Sequence, residues 1–434
     1  MKTNPWDVVI IGCGPGGSSA ATVLAKSGKK VLVLEREIFP RFHIGESLLP
    51  YNQRIFRELG VLPAIQAAGF PRKLGARFYL GNGSHSTRFI FAKGRFTREP
   101  EVVQVERATF DHILMKHARA SGAEIREGWT VKGTKSNPDG VTVEAMGPDG
   151  QTSTFDASFL IDASGRNNLT GNQEKQRVIH PTLKKLAVFG HFSGVQRDQG
   201  DAGGDTIITR LHNKWFWIIP VSAQKTSVGL VLDRDEFSKS GMEPEKLFQY
   251  WVDHSPVMKE RMSAAIPLAP IQTLSDFSYY NRRLVGDRVV RVGDAAGFMD
   301  PIFSAGVYLA MWSGKLAAEA IVKSIDAVDN GGRRFLRYEK RVRKGMHFYW
   351  QMVEHYYTWP FMELFMQPRD HASLPDAVNA VLAGELEGGW NLRWRLWYFF
   401  KLVRWHAYRP VVPRLTMPAE PVPRPAGQPA ASPT

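Results

Sequence analysis

Cysteine is almost missing from this chain: Cys13 stands alone among 434 residues. No internal disulfide framework can form, so the core must hold the fold, and a reducing compartment is expected. Long apolar runs are missing too. No stretch of about 18 uninterrupted apolar residues occurs, which excludes an ordinary spanning helix. The N-terminus leads into a charged-flanked apolar run with no secretory leader pattern, so a cytoplasmic location is expected. There is no internal repeat and no Lys/Arg block like a nucleic-acid arm, which argues against a solenoid and against a nucleic-acid partner. No metal site is expected.

What is present supports a large fold. Hydrophobic residues make up 43% of the chain, ample for a sizeable core. At roughly 100–200 residues per domain, two interleaved domains are expected. The net charge of +14 favours an acidic partner, either an anionic membrane face or an acidic carrier protein, or simply solubilises the surface.

The local pattern predicts a strand over 7–11, a helix over 16–27 and a strand over 30–34. A loop without periodicity covers 40–50. Two hairpins are expected, 141–145 with 154–161 and 215–220 with 226–232. A strand over 288–292 precedes a helix over 306–323. The fold class is therefore α/β, with a Rossmann-type sheet spanning 1–334. A mixed β-sheet substrate domain, at about 75–105 and 175–285, is interleaved with it. Residues 335–417 read as a helical C-terminal region. Six of the last seventeen residues are proline, so 418–434 reads as a disordered tail.

The loop Gly12-Cys13-Gly14-Pro15-Gly16-Gly17 carries G-x-G-x-x-G between a strand and a helix. Gly12 permits the tight turn, Gly14 lets backbone approach a pyrophosphate, and Gly17 allows close helix–strand packing. The helix N-terminus then favours the anion. Glu35 ends the next strand, placed to accept from ribose hydroxyls. Cys13 at a helix N-terminus is either a small filler or a thiol of lowered pKa, and the filler reading is preferred.

Further motifs carry a resemblance. Phe39-Pro40-Arg41-Phe42-His43-Ile44-Gly45-Glu46-Ser47-Leu48, Val105-Glu106-Arg107, Asp162-Ala163-Ser164-Gly165-Arg166 and Gly293-Asp294-Ala295-Ala296-Gly297 resemble segments of flavin-dependent halogenases and related FAD monooxygenases. The resemblance implies that Arg41, Gly45, Ser47, Arg107, Asp294 and Pro301 contact FAD. Trp215-Phe216-Trp217-Ile218-Ile219-Pro220 matches the W-x-W-x-I-P signature of those halogenases. Two indoles at i and i+2 share a strand face and make an apolar wall, implied by the resemblance to keep substrate away from the flavin oxidant. Lys73, in Phe70-Pro71-Arg72-Lys73-Leu74-Gly75, is similar in position to the lysine that presents hypohalous acid. Burial suits that role, because it lowers an ammonium pKa toward a nucleophilic amine.

Met299-Asp300-Pro301-Ile302-Phe303-Ser304-Ala305-Gly306 resembles the family's halide loop, so the amides of Ala305 and Gly306 are the expected halide ligands. Ala305 departs from the usual Ser or Thr. Phe303 stands where tryptophan halogenases carry a catalytic Glu, which points to phenols or pyrroles, free or tethered to a carrier protein.

The implied activity is an FADH2-dependent halogenase using O2 and chloride or bromide, with a separate flavin reductase because no second G-x-G-x-x-G appears. Three competing readings share the cofactor: an aromatic monooxygenase, kept open by Ala305, a prenyl-type flavin reductase, suited to the aromatic C-terminus, and a non-catalytic flavoprotein, if Ala305 reflects a lost halide site. Residues 388–415 hold eight aromatics, six Lys/Arg and no acidic residue. The preferred reading is a helix capping the substrate site with snorkelling arginines. A carrier-docking face and a peripheral membrane helix are the alternatives.

Overall fold

In the computed structural model, which describes residues 4–137, 139–421 and 423, the N-terminal apolar run becomes the centre of a parallel sheet. Trp6–Ile11 pairs in parallel with Val31–Glu35 on one side and with the C-terminal half of Thr152–Asp162 on the other. Glu124–Glu127 and Val289–Arg291 extend the sheet at either end, also in parallel. Val8, Val9, Ile10, Leu32 and Val33 are all fully buried, as strands covered on both faces must be. The N-terminal half of Thr152–Asp162 instead pairs antiparallel with Gly140–Met146, which pairs with Thr130–Asn137. One long strand thus serves both a parallel core and an antiparallel wing.

Helix Pro15–Lys26 packs against the helices Arg107–Ala120 and Gly306–Asp326. The crossing is close at Gly314, where an added Cβ would lie 2.2 Å from the Gly16 carbonyl oxygen. No larger residue fits there without moving backbone.

The second sheet is mixed, and takes its strands from Gly75–Leu80, Ser86–Ile90 and the stretch from Arg177–Ser193 to Gln272–Asn281, with Gly297–Phe298 at its edge. Period-two alternation divides its side chains. Trp215, Trp217 and Ile208 face the main core, while Phe216, Ile218 and Ile207 face a second core closed by Leu247, Phe248 and Trp251.

The C-terminal region is helical: Gly332–Tyr356, Trp359–Met366, Leu374–Ala383 and Trp390–Tyr408. The last of these sends Leu392, Leu396, Phe399, Phe400 and Val403 inward. Its other face is open to solvent. Trp390, Trp397, Trp405 and Tyr408 are 79%, 62%, 55% and 87% exposed, because the helix has protein on one side only. Glu420, within the segment expected to be disordered, accepts from the His212 amide and pairs with Lys214. The rest of that expectation, 422 and 424–434, lies outside the described residues. Among the described residues no helix is long and apolar enough to cross a membrane.

Candidate active site

A cavity of about 370 Å³ runs between the two sheets. Gly12, Gly14 and Glu35 line one end, Arg41, Gly45, Ser47 and Arg107 its flank, and Asp294, Pro301 and Gly306 the other end, facing Trp215 and Trp217. Twelve residues predicted from separate motifs therefore meet in one space. Gly17 is not among the lining. A Cβ there would lie 2.0 Å from the Gly12 carbonyl oxygen, so its role is packing.

The glycine turn is stabilised from below. Glu35 Oε2 accepts from the Cys13 amide at 2.6 Å and Oε1 from the Glu37 amide at 2.9 Å. A carboxylate has about four acceptor sites, so ribose hydroxyls remain within its capacity. Cys13 itself is fully enclosed, and burial pushes its thiol up to about 12. The lowered-pKa reading of Cys13 is thus overturned: desolvation outweighs the helix terminus.

Asp111 organises the flank. It accepts from Arg107 Nε and Nη2, both at 2.8 Å, and from Arg41 Nη1 at 3.1 Å. Sequence reasoning missed it, although Arg107 and Asp111 stand one helical turn apart and could have been paired by spacing. Arg107 Nη1 also donates to the Ile44 carbonyl at 2.7 Å. Gly45 is required here: its φ is +102°, and a Cβ would come within 2.9 Å of Arg107 Nη1. At the far end, burial raises the Asp294 carboxyl pKa, while Arg166 and Arg107 pull it back.

The loop before helix Gly306–Asp326 is held by Asp300, whose Oδ1 accepts from the Ile302 amide at 3.1 Å. The first-turn amides of a helix lack intrahelical acceptors and favour an anion. A Cβ built on Gly306 meets nothing within 4 Å, so this turn faces open space. Ala305 lines a smaller adjoining cavity behind the loop.

Both tryptophans are buried, with ring centroids 5.9 Å apart. Trp217 Nε1 donates to Ser227 Oγ at 3.0 Å and Trp215 Nε1 to Tyr357 Oη at 2.9 Å. The wall therefore has both polar atoms engaged.

Lys73 lies on the two-residue strand Arg72–Lys73, paired with Val102–Val103. It is only 2% exposed and does not line the cavity. Its Nζ donates to Ser47 Oγ and to the Leu48 carbonyl, both at 2.8 Å. Ser47 Oγ is in turn 2.7 Å from Thr206 Oγ1, which accepts from Gln104 Nε2 at 2.8 Å. Ser47 and Thr206 do line the cavity, so Lys73 sits one hydroxyl behind its wall. Desolvation lowers the Lys73 pKa to about 7, against a weaker opposing pull from Asp205. Thr206 and Gln104 carried no sequence signal.

A cavity with a glycine turn at one end, an Arg–Asp–Arg flank and a carboxylate at the other fits a flavin dinucleotide. The chain matches the FAD-binding domain family over residues 5–341. It is 32% identical to the 1H-pyrrole-2-carbonyl-[peptidyl-carrier protein] chlorinase of Pseudomonas fluorescens, over 82% of this chain and 84% of that protein. It is 34% identical to the corresponding brominase of Pseudoalteromonas luteoviolacea, over 87% and 92%. Its fold superposes on the solved structure of the flavin-dependent brominase Bmp2 with a TM-score of 0.83 and 31% identity, covering 93% of this chain and 99% of that one. The site thus defines an FAD-binding oxidoreductase. Within that class, the chain belongs to the flavin-dependent halogenases.

Proposed function

We propose that this enzyme installs chlorine or bromine on an electron-rich aromatic ring, using hypohalous acid passed from the flavin cavity to Lys73. The observation that carries the reading is the buried Lys73–Ser47 hydrogen bond, with Ser47 on the cavity wall. FAD would be held by the Gly12–Gly14 turn, Glu35, Arg41, Arg107 and Asp294; when bound and reduced it supplies oxygen activation. The chain's own residues do the rest. The Ala305 and Gly306 amides hold the halide beside the open space at Gly306. Trp215 and Trp217 present carbon surface and keep an aromatic substrate from direct contact with the flavin. Ser47 hands hypohalous acid toward Lys73. With a pKa near 7, a large share of Lys73 is neutral amine at physiological pH. The amine nitrogen takes the halogen and water leaves, which stores an electrophile on a buried side chain away from the flavin.

The substrate side is apolar. Phe303 packs edge-on to Tyr356 at 5.6 Å, and Phe78 and Phe89 pack against Phe365. Such walls suit a small neutral ring, and the two carrier-dependent relatives point to a pyrrole tethered to a carrier protein. The outer face of helix Trp390–Tyr408, with Arg393, Lys401 and Arg404 among its exposed tryptophans, offers charge complementary to an acidic carrier. A separate flavin reductase in the same cytoplasm would supply the reduced cofactor.

The test is mass spectrometry of a pyrrole, phenol and indole panel, free and carrier-bound, with FAD, a flavin reductase, NADH, oxygen and either halide. The expected product gains one halogen with its isotope pattern. Lys73→Ala should abolish that product while still binding FAD. A gain of oxygen instead would favour the monooxygenase reading, and halogenation by Lys73→Ala with unchanged regiochemistry would remove the role given to Lys73.

A further inference from the structure

The C-terminal helices reach the halide loop at one point. Helix Gly332–Tyr356 ends beside it, and Tyr357 is its C-cap residue. The Tyr357 hydroxyl is 2.9 Å from Trp215 Nε1 and 2.7 Å from Asp300 Oδ2. Chemistry fixes the direction of this chain. An indole N–H can only donate, so the Tyr357 oxygen accepts from Trp215 and its proton goes to Asp300. Asp300 gives its other oxygen to the Ile302 amide and its own amide to Ser278 Oγ at 3.0 Å. The ring of Tyr357 is held independently of its hydroxyl, with Lys185 Nζ 4.0 Å and the Arg210 guanidinium 4.9 Å from its centroid.

We propose that Tyr357 is a positioning residue that locks the tryptophan wall and the halide loop into one unit. Asp300 opens the loop whose amides five and six residues on receive the halide. Its carboxylate holds the loop through Oδ1, and Tyr357 fixes the orientation of that carboxylate through Oδ2. The same hydroxyl fixes the Trp215 N–H away from the cavity, so the wall offers carbon rather than a donor that would compete with Ser47. Wall and halide site thereby respond together to one hydroxyl that belongs to neither.

The inference rests on the halogenase reading, and the experiment separates the two. Bromide is titrated into the FAD-loaded enzyme and its dissociation constant is read from the change in flavin absorbance. Tyr357→Phe keeps the ring between Lys185 and Arg210 and removes only the hydroxyl. Loss of about one hydrogen bond should weaken bromide about three- to tenfold, with FAD affinity unchanged. Under turnover, the share of reduced flavin consumed without halogenated product should rise. Trp215→Phe removes the indole donor but leaves the Tyr357–Asp300 bond, so it should shift that share without weakening bromide. If the wild-type holoenzyme shows no bromide response, the halide reading falls and this inference with it. If wild type responds and Tyr357→Phe responds identically, only the positioning role falls. Should Tyr357→Phe fail to retain FAD, Asp300→Asn reads the relay from its other end. Asp300→Asn should then weaken bromide more than Trp215→Phe, and the reverse order would overturn the proposal.

Discussion

At the scale of residues, the chemistry proposed for Lys73 turns on how it is buried. Its ammonium gains two hydrogen bonds but loses most of its hydration, and desolvation brings its pKa down to about 7 from near 10.5. If the neutral amine is the form that takes the halogen, single-turnover halogenation rises with pH through about 7. It then levels off above the folded pKa, where the side chain is fully deprotonated. Rapid-quench product formation between pH 6 and 9 would show this limb, and a falling limb would assign the ammonium as the active form. Lys73 was legible in the sequence only through its neighbours, since a lone lysine carries no signal. Its partner Ser47 was legible as a flavin contact, not as the link to Lys73. Thr206 and Gln104 were not legible, because each acts through a contact between segments distant in sequence, whereas Asp111 was legible in principle from its i,i+4 spacing to Arg107. Cys13 shows the reverse case. A local rule about helix termini kept a reactive thiol open beside the preferred filler reading, and full enclosure, which only the folded chain reveals, removes it.

At the scale of elements, the Trp215–Pro220 and Thr226–Asp233 hairpin shows what pattern reading captures. Alternation places Trp215 and Trp217 on one face, and the turn residues between the strands fix their pairing. What the pattern does not capture is the space each indole occupies. Trp217 lies across from Gly229, where a Cβ would come within 2.2 Å of the indole ring. Gly229→Ala should therefore displace Trp217 toward the cavity and overpack the strand. A loss of about 1–3 kcal/mol is expected from overpacking of this kind, read by urea denaturation of the FAD-loaded enzyme. FAD affinity should fall in parallel, since the wall moves into the flavin's space. Unchanged FAD binding would mean that Trp217 relaxes in another direction. The first strand, helix and second strand of the flavin sheet were predicted to within one residue, because strong apolar runs flanked by glycine leave few alternatives, whereas Glu124–Glu127 and Thr130–Asn137 were not predicted. The double life of Thr152–Asp162, parallel at one end and antiparallel at the other, was only half visible, as a hairpin.

At the scale of the molecule, the C-terminal region is a clamp rather than an appendage. Its composition told only that it was helical, aromatic and basic, since a contact with strands about 280 residues earlier leaves no periodic mark. Phe365 of helix Trp359–Met366 packs against Phe78 and Phe89 of the second sheet, with ring centroids 4.7 and 4.9 Å away. Glu363 of the same helix faces the other way and gathers the last segments. Its Oε2 accepts from His406 Nε2 at 2.9 Å and from Arg414 Nη1 at 2.8 Å, and its Oε1 from the Leu415 amide at 2.9 Å. His406 Nδ1 accepts from the Val411 amide, so the ring is held as the neutral tautomer that donates through Nε2. One buried carboxylate therefore ties the C-terminal helix, and the strap that follows it, to the helix that packs on the second sheet. Glu363→Ala would leave three donors without their acceptor. Arg414 is partly exposed and can rehydrate, but the buried His406 and Leu415 donors cannot; an unsatisfied buried donor costs about 1–3 kcal/mol, so a clear fall in the denaturation midpoint is expected. Glu363→Gln keeps one carbonyl oxygen and should lose less. Because Glu363 lies outside the flavin cavity, FAD binding by the folded fraction should survive, while turnover of the aromatic substrate should fall if the Phe365 cluster shapes the proposed substrate side. If Glu363→Ala lowered FAD affinity and left substrate turnover unchanged, the C-terminal helices would be supporting the cofactor rather than the aromatic site.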